Sequence, residues 1–396
     1  MMQSFNRIPF FIVAILFTLV QSYKSTAQTL SPENLRSPEK PFSFPLQLAM
    51  SVPFNPTAFT NGSKYHLIYE LYLTNFSSDP IKLRRIELID PNTKDAQPIV
   101  TFDATQLHTM LQPLGETVSD KLTLASGQAA IVFIEAVSDV KKTFPGRLVH
   151  RVVTETDSLE GAVISTRQSK LQVLTPPLEG SNWTAVDGPS NNVDNHHRRG
   201  SIILDGRSID SRRYAIDWKK FRDSASFSGD SRDVHSYFCY GEPVFAVADG
   251  RVIRAKDGLP NNIPGHGAAF HPAVVLTFER LAGNTIVIDL GNGHYAHYMH
   301  LQPGSLRIKT GDRVHKAQML ARIGASGDAR EPHLHFEVTT SSNLLFGEGI
   351  PYLIDRYRIS SQTNHSTDIR INELPIDGEV VDFEKKNVKN KQASIH

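Results

Sequence analysis

The 396-residue sequence contains a single cysteine, Cys239. A lone cysteine excludes an internal disulfide, so stability has to come from apolar cores or from a bound metal. The chain also lacks a charge bias: its formal net charge is +1 and it has no long basic block. This balance argues against nucleic-acid binding and against binding to a membrane surface. The length and a 40% hydrophobic fraction are typical of a globular protein with two domains.

Long apolar runs are absent after the first 27 residues. Arg7 precedes an apolar run over residues 8–20, and a Ser-Thr-Ala sequence follows it. This arrangement predicts an export signal over residues 1–27, with the mature chain starting near Gln28. The alternative is a membrane anchor, but the run is shorter than the roughly 20 residues that a span needs. We therefore expect a periplasmic or extracellular protein with no membrane span after cleavage.

Helical periodicity is scarce, and short alternating runs of apolar and polar residues dominate. They predict an all-β protein, with an N-terminal β-sandwich followed by a C-terminal antiparallel β domain. A short helix is expected over residues 104–111, and it should end there because Pro113 follows. The expected organisation is a signal (1–27), a linker (28–41), a β-sandwich (42–174), a connection rich in Pro, Gly and Asn (175–200), a second β domain (201–359) and a polar tail (360–396).

The pair His333 and His335 is the most informative feature of the second domain. The surrounding segment is apolar and β-branched, which predicts a strand, and a strand places residues i and i+2 on one face. One imidazole can therefore ligate a divalent metal while the other handles a proton or stabilises an oxyanion. This pairing indicates hydrolysis by a metal-activated water.

Residues 243–338 resemble the zinc endopeptidases of the M23 family, the LytM and lysostaphin-like group that cleaves peptidoglycan peptides. Five segments carry the resemblance, in the family's order: 243–252 (PVFAVADGRV), 298–301 (YMHL), 311–314 (GDRV), 323–327 (IGASG) and 333–338 (HLHFEV). Asp217, in the segment YAIDW, matches the acidic ligand of the family's HxxxD motif. Together these segments are far more specific than HxH alone.

The resemblance implies a Zn²⁺ cofactor and peptidoglycan peptides as the substrate. It assigns Asp217 and His335 as metal ligands, with a coordination position left open for water. It assigns His300 and His333 as the groups that act on that water or on the tetrahedral intermediate. A carboxylate and a neutral imidazole suit zinc chemically.

The sequence departs from the family at Arg213, which stands where HxxxD requires histidine. Since i and i+4 share a strand face, we expect the guanidinium to point toward the metal position and pair with Asp217. Either another residue completes the site or the site is closed. His197 is the preferred replacement ligand, with His196 and His235 as weaker candidates.

Strand parity gives further expectations around the site. His294 shares its parity with His300 and can face the same groove, whereas His297 is expected on the opposite face. The insert over residues 258–271 is expected to form one wall of the cleft.

Three function classes follow from these observations. The first is an exported zinc metalloendopeptidase. The second is a catalytically degenerate relative that binds the cell wall or activates a cell-wall hydrolase as its partner. The third is a structural envelope protein, for which the sequence offers little positive support.

Overall fold

A computed structural model describes residues 44–93, 97–115, 120–166, 171–360 and 368–386. The expected export signal (1–27) and linker (28–41) lie outside the described residues. Within these ranges, no helix is both long and apolar enough to cross a membrane. The two halves described below belong to one compact unit, which begins at Leu46.

The N-terminal half consists of two five-stranded antiparallel sheets and one short helix. Its elements are β1 (Leu48–Ser51), β2 (Phe59–Asn61), β3 (Lys64–Asn75), β4 (Ile81–Ile89), β5 (Pro98–Phe102), α1 (Ala104–Met110), β6 (Leu111–Pro113), β7 (Thr123–Leu124), β8 (Ala129–Asp139), β9 (Arg147–Thr154) and β10 (Ser158–Ser165). The first sheet has the order β1-β3-β8-β6 with β2 beside β3, and the second has the order β10-β9-β4-β5 with β7 beside β4.

Side-chain alternation on the long strands explains how the two sheets pack. Leu67, Leu71 and Leu73 of β3 join Val132 of β8 in an apolar core that also contains residues of β4 and β9. Burial of this one face supplies the main driving force for pairing the sheets. The expected helix is present, and Asp103 caps it by accepting a hydrogen bond from the backbone of the third helical residue.

The outer face of the first sheet is also buried, because the C-terminal half covers it. Ile68 of β3 belongs to the apolar core of the C-terminal half. The hydroxyl of Tyr214 donates a 2.8 Å hydrogen bond to the carbonyl of Ile68. Strand β3 is therefore sandwiched between two cores.

The C-terminal half is built around one ten-stranded antiparallel sheet. Its strands are β11 (Val173–Leu174), β12 (Gly180–Val186), β13 (Ile202–Leu204), β14 (Arg207–Ile209), β15 (Ile216–Lys220), β16 (Pro243–Phe245), β17 (Gly250–Lys256), β18 (Asn284–Gly291), β19 (His294–Leu301), β20 (Arg313–Val314), β21 (Met319–Arg322), β22 (Leu334–Thr339), β23 (Leu353–Ile354), β24 (Tyr357–Ile359), β25 (Ile369–Arg370) and β26 (Val380–Phe383). The order in the sheet is β20-β17-β18-β19-β22-β15-β12-β26-β24-β25, and three short pairs, β11-β23, β13-β14 and β16-β21, flank it. The predicted all-β fold class is confirmed.

Two predicted segments contain strands that the sequence did not predict. The expected connection over 175–200 contains β12, a central strand whose Trp183 is fully buried. The expected polar tail contains β26, which pairs with β12 and β24. The polar composition of both segments predicted no regular structure. A few large apolar side chains nevertheless stabilise a strand in each, because their burial contributes more free energy than their polar neighbours cost. Residues 273–278 are mostly apolar but form no strand, and Val275 there is 77% exposed, so no apolar face stabilises one.

Strand β26 gives a first prediction. Phe383 is 3% exposed and packs edge-on against Trp218, with ring centroids 5.3 Å apart. Phe383→Ala should lower the free energy of unfolding by about 3–5 kcal/mol, because it leaves a cavity in the core. The matched control, Phe76→Ala, removes a ring that is 71% exposed and should change it by less than about 0.5 kcal/mol. Urea denaturation measures both, and equal small losses would show that β26 does not contribute to the core.

Candidate metal centre

The centre of the ten-stranded sheet brings a carboxylate and an imidazole together. Strands β15 and β22 are neighbours, and Asp217 lies directly opposite His335 in their register. Directly opposed residues point to the same face. His335 Nδ1 consequently lies 2.9 Å from Asp217 Oδ1, and both side chains are buried.

His300 reaches the same site by leaving the strand alternation. Met299 is opposite His335 in the β19–β22 register, so regular alternation would send His300 to the other face. His300 instead has a φ of 62°, a left-handed conformation that is uncommon for any residue except glycine. Its ring centroid lies 4.8 Å from that of His333. Strained backbone of this kind is concentrated at functional sites.

The expectations for the other histidines of β19 are corrected by this register. His297 lies opposite Glu337, on the same face as His335 rather than on the opposite one. Its Nε2 is 3.0 Å from the carbonyl of Ser341, and its side chain does not line the cleft. His294 does not line the cleft either, and its Nδ1 lies 3.2 Å from the Gln172 amide.

His197 lies beside Asp217, although it is 20 positions away along the chain. It opens a 3₁₀ turn, His197–Arg199, and is 1% exposed. Its Nδ1 lies 2.7 Å from the carbonyl of Asp187, and because a carbonyl only accepts, this nitrogen carries the proton. The lone pair of Nε2 is left 3.5 Å from Asp217 Oδ1, with no hydrogen-bond partner among the described residues.

The weaker candidates differ from His197 in exposure and in partners. The side chain of His196 is 49% exposed, its Nδ1 pairs with Asp187 at 2.9 Å and its Nε2 is 3.8 Å from Asp217 Oδ2. Ligand atoms of His196, His197 and Asp217 all lie within 4.8 Å of one another. His235 is exposed, pairs with Asp233 and does not line the cleft.

Arg213 does not point toward the metal position, so that expectation was wrong. Its Nε donates to Glu70 at 2.9 Å and its Nη1 donates to Glu348 at 2.9 Å. Strand β15 begins only at Ile216, and Arg213 lies in the preceding turn, so strand parity with Asp217 does not extend to it. The guanidinium therefore pairs with two buried carboxylates and does not oppose a cation beside Asp217.

The donor set fits a zinc ion. Asp217, His197 and His335 offer one carboxylate and two imidazoles, which are ligands that zinc prefers. His335 Nε2 lies 3.2 Å from Glu337 Oε2, so this carboxylate can hold the proton there and leave Nδ1 for a metal. Such outer partners orient metal-binding histidines. The buried His197 Nε2 has no hydrogen-bond partner among the described residues, which is the observation that best supports this fit.

Two further imidazoles aim their Nε2 atoms into the site. His333 Nδ1 lies 2.8 Å from the carbonyl of Glu331, and His300 Nδ1 lies 2.9 Å from the carbonyl of Ser326. Each Nδ1 therefore carries the proton, and each Nε2 is an acceptor. His333 Nε2 is 3.4 Å from Asp217 Oδ2.

Burial and neighbouring charges set the protonation states. Burial lowers the pKa of His333, and it lowers the pKa of His300 further with the help of the nearby His333. Burial would raise the pKa of Asp217, but the imidazoles of His333 and His197 outweigh it and hold that pKa well below its usual value. For His335, burial is outweighed by the hydrogen bonds to Asp217 and Glu337, which raise its pKa to about 9.

A cleft of about 550 Å³ opens over these residues. The expected wall insert, 258–271, contributes His266 to it. The other lining residues are Asp187, His196, Gly200, Ile202, Ser211, Arg212, Asp217, Lys219, Phe278, Leu281, Ala282, Met299, His300, Asp328, Arg330, Glu331, His333, His335 and Leu345. Four of the five predicted site residues line the cleft directly. His197 does not; it is buried, with its ring centroid 4.2 Å from that of His196.

The sequence interpretation missed two residues of this site. Glu337 shares strand parity with His335, so the segment HLHFEV did contain the signal that it faces the same side. Asp187, whose carbonyl accepts from His197 and whose carboxylate pairs with His196, had no detectable signal, because a loop brings it to the site.

Comparison with known proteins agrees with this geometry. Residues 234–345 match the model of peptidase family M23. A peptidoglycan DD-endopeptidase, ShyB of Vibrio cholerae, is 33% identical over 98 residues, which cover 25% of this chain and 18% of the relative. The glycyl-glycine endopeptidase ALE-1 of Staphylococcus capitis is 30% identical over 141 residues, 35% of this chain and 33% of the relative. The chain thus matches a third or less of the length of these two relatives.

One solved structure is similar to part of the chain. The catalytic domain of lysostaphin from Staphylococcus simulans is 20% identical, with 43% of this chain and 88% of that domain covered and a TM-score of 0.23. The fold and the site define an all-β protein with a candidate mononuclear metal centre in a cleft. The chain carries a domain of peptidase family M23, and the resemblance seen in its motifs is confirmed.

The protonation of His335 gives a second prediction. Its pKa of about 9 means that it is protonated at pH 7 in the metal-free protein, so a metal must displace that proton. Zinc binding should release about one proton per ion at pH 7, and affinity should rise as pH rises toward 9. Calorimetry in buffers of different ionisation enthalpy measures this. In Glu337→Gln, which removes one of the groups that raise this pKa, fewer protons should be released. Zinc affinity that does not depend on pH would contradict the assignment.

Proposed function

We propose that this chain is an exported zinc metalloendopeptidase that hydrolyses peptide bonds in peptidoglycan. The observation that carries the proposal is the cluster of Asp217, His335 and His197, with the free Nε2 of His197 aimed at the carboxylate. The M23 domain and the curated endopeptidase relatives support the reaction class and the substrate.

In this proposal Asp217, His335 and His197 hold the metal. Zinc, when bound, supplies Lewis acidity and lowers the pKa of a water molecule to about 7. The protein's part is to keep these donors buried and preoriented, with Glu337 on His335 and the Asp187 carbonyl on His197. His196, half-exposed at the cleft, remains outside the ligand set.

His333 and His300 handle protons in the proposed mechanism. Both are neutral because burial lowers the pKa of each, and both present an Nε2 lone pair to the site. His333 Nε2 is the closer to Asp217, so it is placed to take a proton from the attacking water. In its protonated form it can then donate to the leaving amine or stabilise the developing oxyanion.

The relatives act on two different peptide linkages. One is named as a peptidoglycan DD-endopeptidase and another as a glycyl-glycine endopeptidase. We propose peptidoglycan peptides as the substrate class for this chain and test both linkages. An exported location follows from the expected signal over residues 1–27 and from a substrate that lies outside the cytoplasm.

The competing proposal is a degenerate relative that binds the wall or activates another hydrolase. Its main support is that Arg213 stands where the family's motif requires histidine. The guanidinium pairs with Glu70 and Glu348 and not with Asp217, which weakens that support. Zinc binding and catalysis remain the properties that separate the two proposals experimentally.

The third prediction concerns the replacement ligand. His197→Ala should lower zinc affinity by more than the roughly 10–100-fold that loss of an outer partner costs, because a direct donor is removed. His196→Ala is the matched control, since it removes the adjacent, half-exposed imidazole, and should leave affinity within a few-fold of wild type. Competition with a chromogenic chelator measures both. A reversed ranking would make His196 the ligand, and wild-type protein that binds no zinc would favour the degenerate relative.

The fourth prediction separates metal binding from catalysis. His333→Ala should keep one zinc per chain and lose about 10²–10⁴-fold in hydrolysis rate, as expected for a group that transfers protons. His335→Ala should lose both. His294→Ala, on the same strand as His300 but outside the cleft, should change neither.

The assay measures release of soluble peptides from purified cell walls, one preparation with direct cross-links and one with glycine bridges. Undiminished hydrolysis in His333→Ala would refute the assigned role of this residue. Zinc-loaded wild type that is inactive on both walls would refute the proposed substrate class.

A further inference from the structure

We infer that the N-terminal half is part of the metal centre, because the outer face of its first sheet positions the loop that carries His197, with Arg198 as the positioning residue. This inference rests on the proposed role of His197 as a zinc ligand. The segment over residues 187–200, which we call the ligand loop, connects β12 to the strands that follow it and is held from the side of the first sheet.

Strand β8 provides the surface for the ligand loop. Alternation along β8 sends Val132 and Ile134 into the core between the two N-terminal sheets, and it sends Phe133 and Glu135 to the outer face. The Asn191 side chain donates a 2.6 Å hydrogen bond to the carbonyl of Phe133. The Asn191 backbone N–H donates to the Glu135 carboxylate at 2.9 Å.

Arg198 makes the second attachment, one residue after the proposed ligand. Its guanidinium carbon lies 4.3 Å from the centroid of the Phe133 ring, which is a cation–π contact. Its Nη2 donates a 2.5 Å hydrogen bond to the carbonyl of Thr109, at the end of α1. The side chain is buried, so these contacts are shielded from water and from salt.

The two neighbouring side chains of the ligand loop therefore point to different halves of the molecule. His197 points to Asp217 on β15, and Arg198 points to β8 and α1. Hydrogen bonds within the loop, such as His197 N–H to the Asn195 side chain at 2.9 Å, shape the turn but do not fix it to the first sheet. The attachment to the first sheet runs through Asn191 and Arg198.

Arg213 extends the same interface. This arginine occupies the position of the missing histidine and pairs with Glu70 on the outer face of β3, next to β8. The loop that carries His197 and the side chain of Arg213 are thus both in contact with the N-terminal half. His197 lies on a loop, where no ladder of strand hydrogen bonds holds it, so it needs such support.

The test uses the mature full-length chain and compares Arg198→Ala with Arg198→Lys and Phe133→Leu. Arg198→Ala should weaken zinc binding by roughly 10–100-fold, the range for residues that orient metal ligands. Arg198→Lys keeps a cation and a donor and should recover part of that loss. Phe133→Leu keeps most of the apolar volume, removes the cation–π contact and should weaken zinc binding less than Arg198→Ala does. Arg199→Ala, the exposed neighbour, is the matched control and should bind zinc like wild type.

Cobalt substitution supplies a readout that general destabilisation does not move. If Arg198 positions His197, the visible absorption of the Co²⁺-loaded Arg198→Ala protein should differ in band position or intensity from wild type at full loading. Far-UV circular dichroism and the melting temperature of the metal-free protein check the fold. A folded Arg198→Ala with wild-type zinc affinity and cobalt spectrum would overturn the inference.

If Arg198→Ala does not fold, zinc affinity and the cobalt spectrum are measured on Phe133→Leu instead. Wild-type values of both in Phe133→Leu would then overturn the inference. The proposed function fails in a different way. Wild-type protein that binds no zinc would overturn the zinc proposal itself, whereas wild type that binds zinc beside an unaffected Arg198→Ala overturns only the positioning role.

Discussion

The contact between Asp217 and His335 across β15 and β22 is the interaction on which the site depends. Asp217 and His335 face each other in the register and are 3% and 4% exposed, so bulk water does little to satisfy either group. A buried carboxylate is costly unless it is paired and hydrogen-bonded. Here it collects the imidazoles of His335, His333 and His197, and Glu337 supports His335 from the other side. The need of this buried carboxylate for partners explains why these imidazoles lie close to it.

The proposed ligand His197 lies on a loop, and this changes what the remainder of the protein has to do. A strand residue is held by its ladder, but His197 sits on a short 3₁₀ turn that needs independent anchoring. The outer face of β8 provides the Phe133 ring, the Phe133 carbonyl and the Glu135 carboxylate for that purpose. Glu70 on the neighbouring strand β3 pairs with Arg213, which also pairs with Glu348. In this arrangement the N-terminal half is a component of the site rather than a separate attachment.

The histidines of the cleft do different work because their ring nitrogens have different partners. A backbone carbonyl fixes the proton on Nδ1 of His197, His300 and His333, which leaves three Nε2 lone pairs for chemistry. Carboxylates surround His335 instead, and they raise its pKa to about 9. Four imidazoles that look equivalent in a sequence thus fall into two groups. In the metal-free protein His335 is protonated on both ring nitrogens, whereas the other three are neutral and can each accept a proton at Nε2.

The sequence by itself determined the all-β class and the M23 resemblance, and it predicted the set of Asp217, His300, His333 and His335, because short motifs and alternation report local geometry. It also pointed to His197, but only among alternatives. The tertiary structure alone decided the direction of Arg213, the left-handed turn at His300, the face of His297 and the burial of β12 and β26. Each of these depends on register or on contacts between distant segments. Local periodicity contains no information about what covers the far side of a strand or about where a loop is anchored.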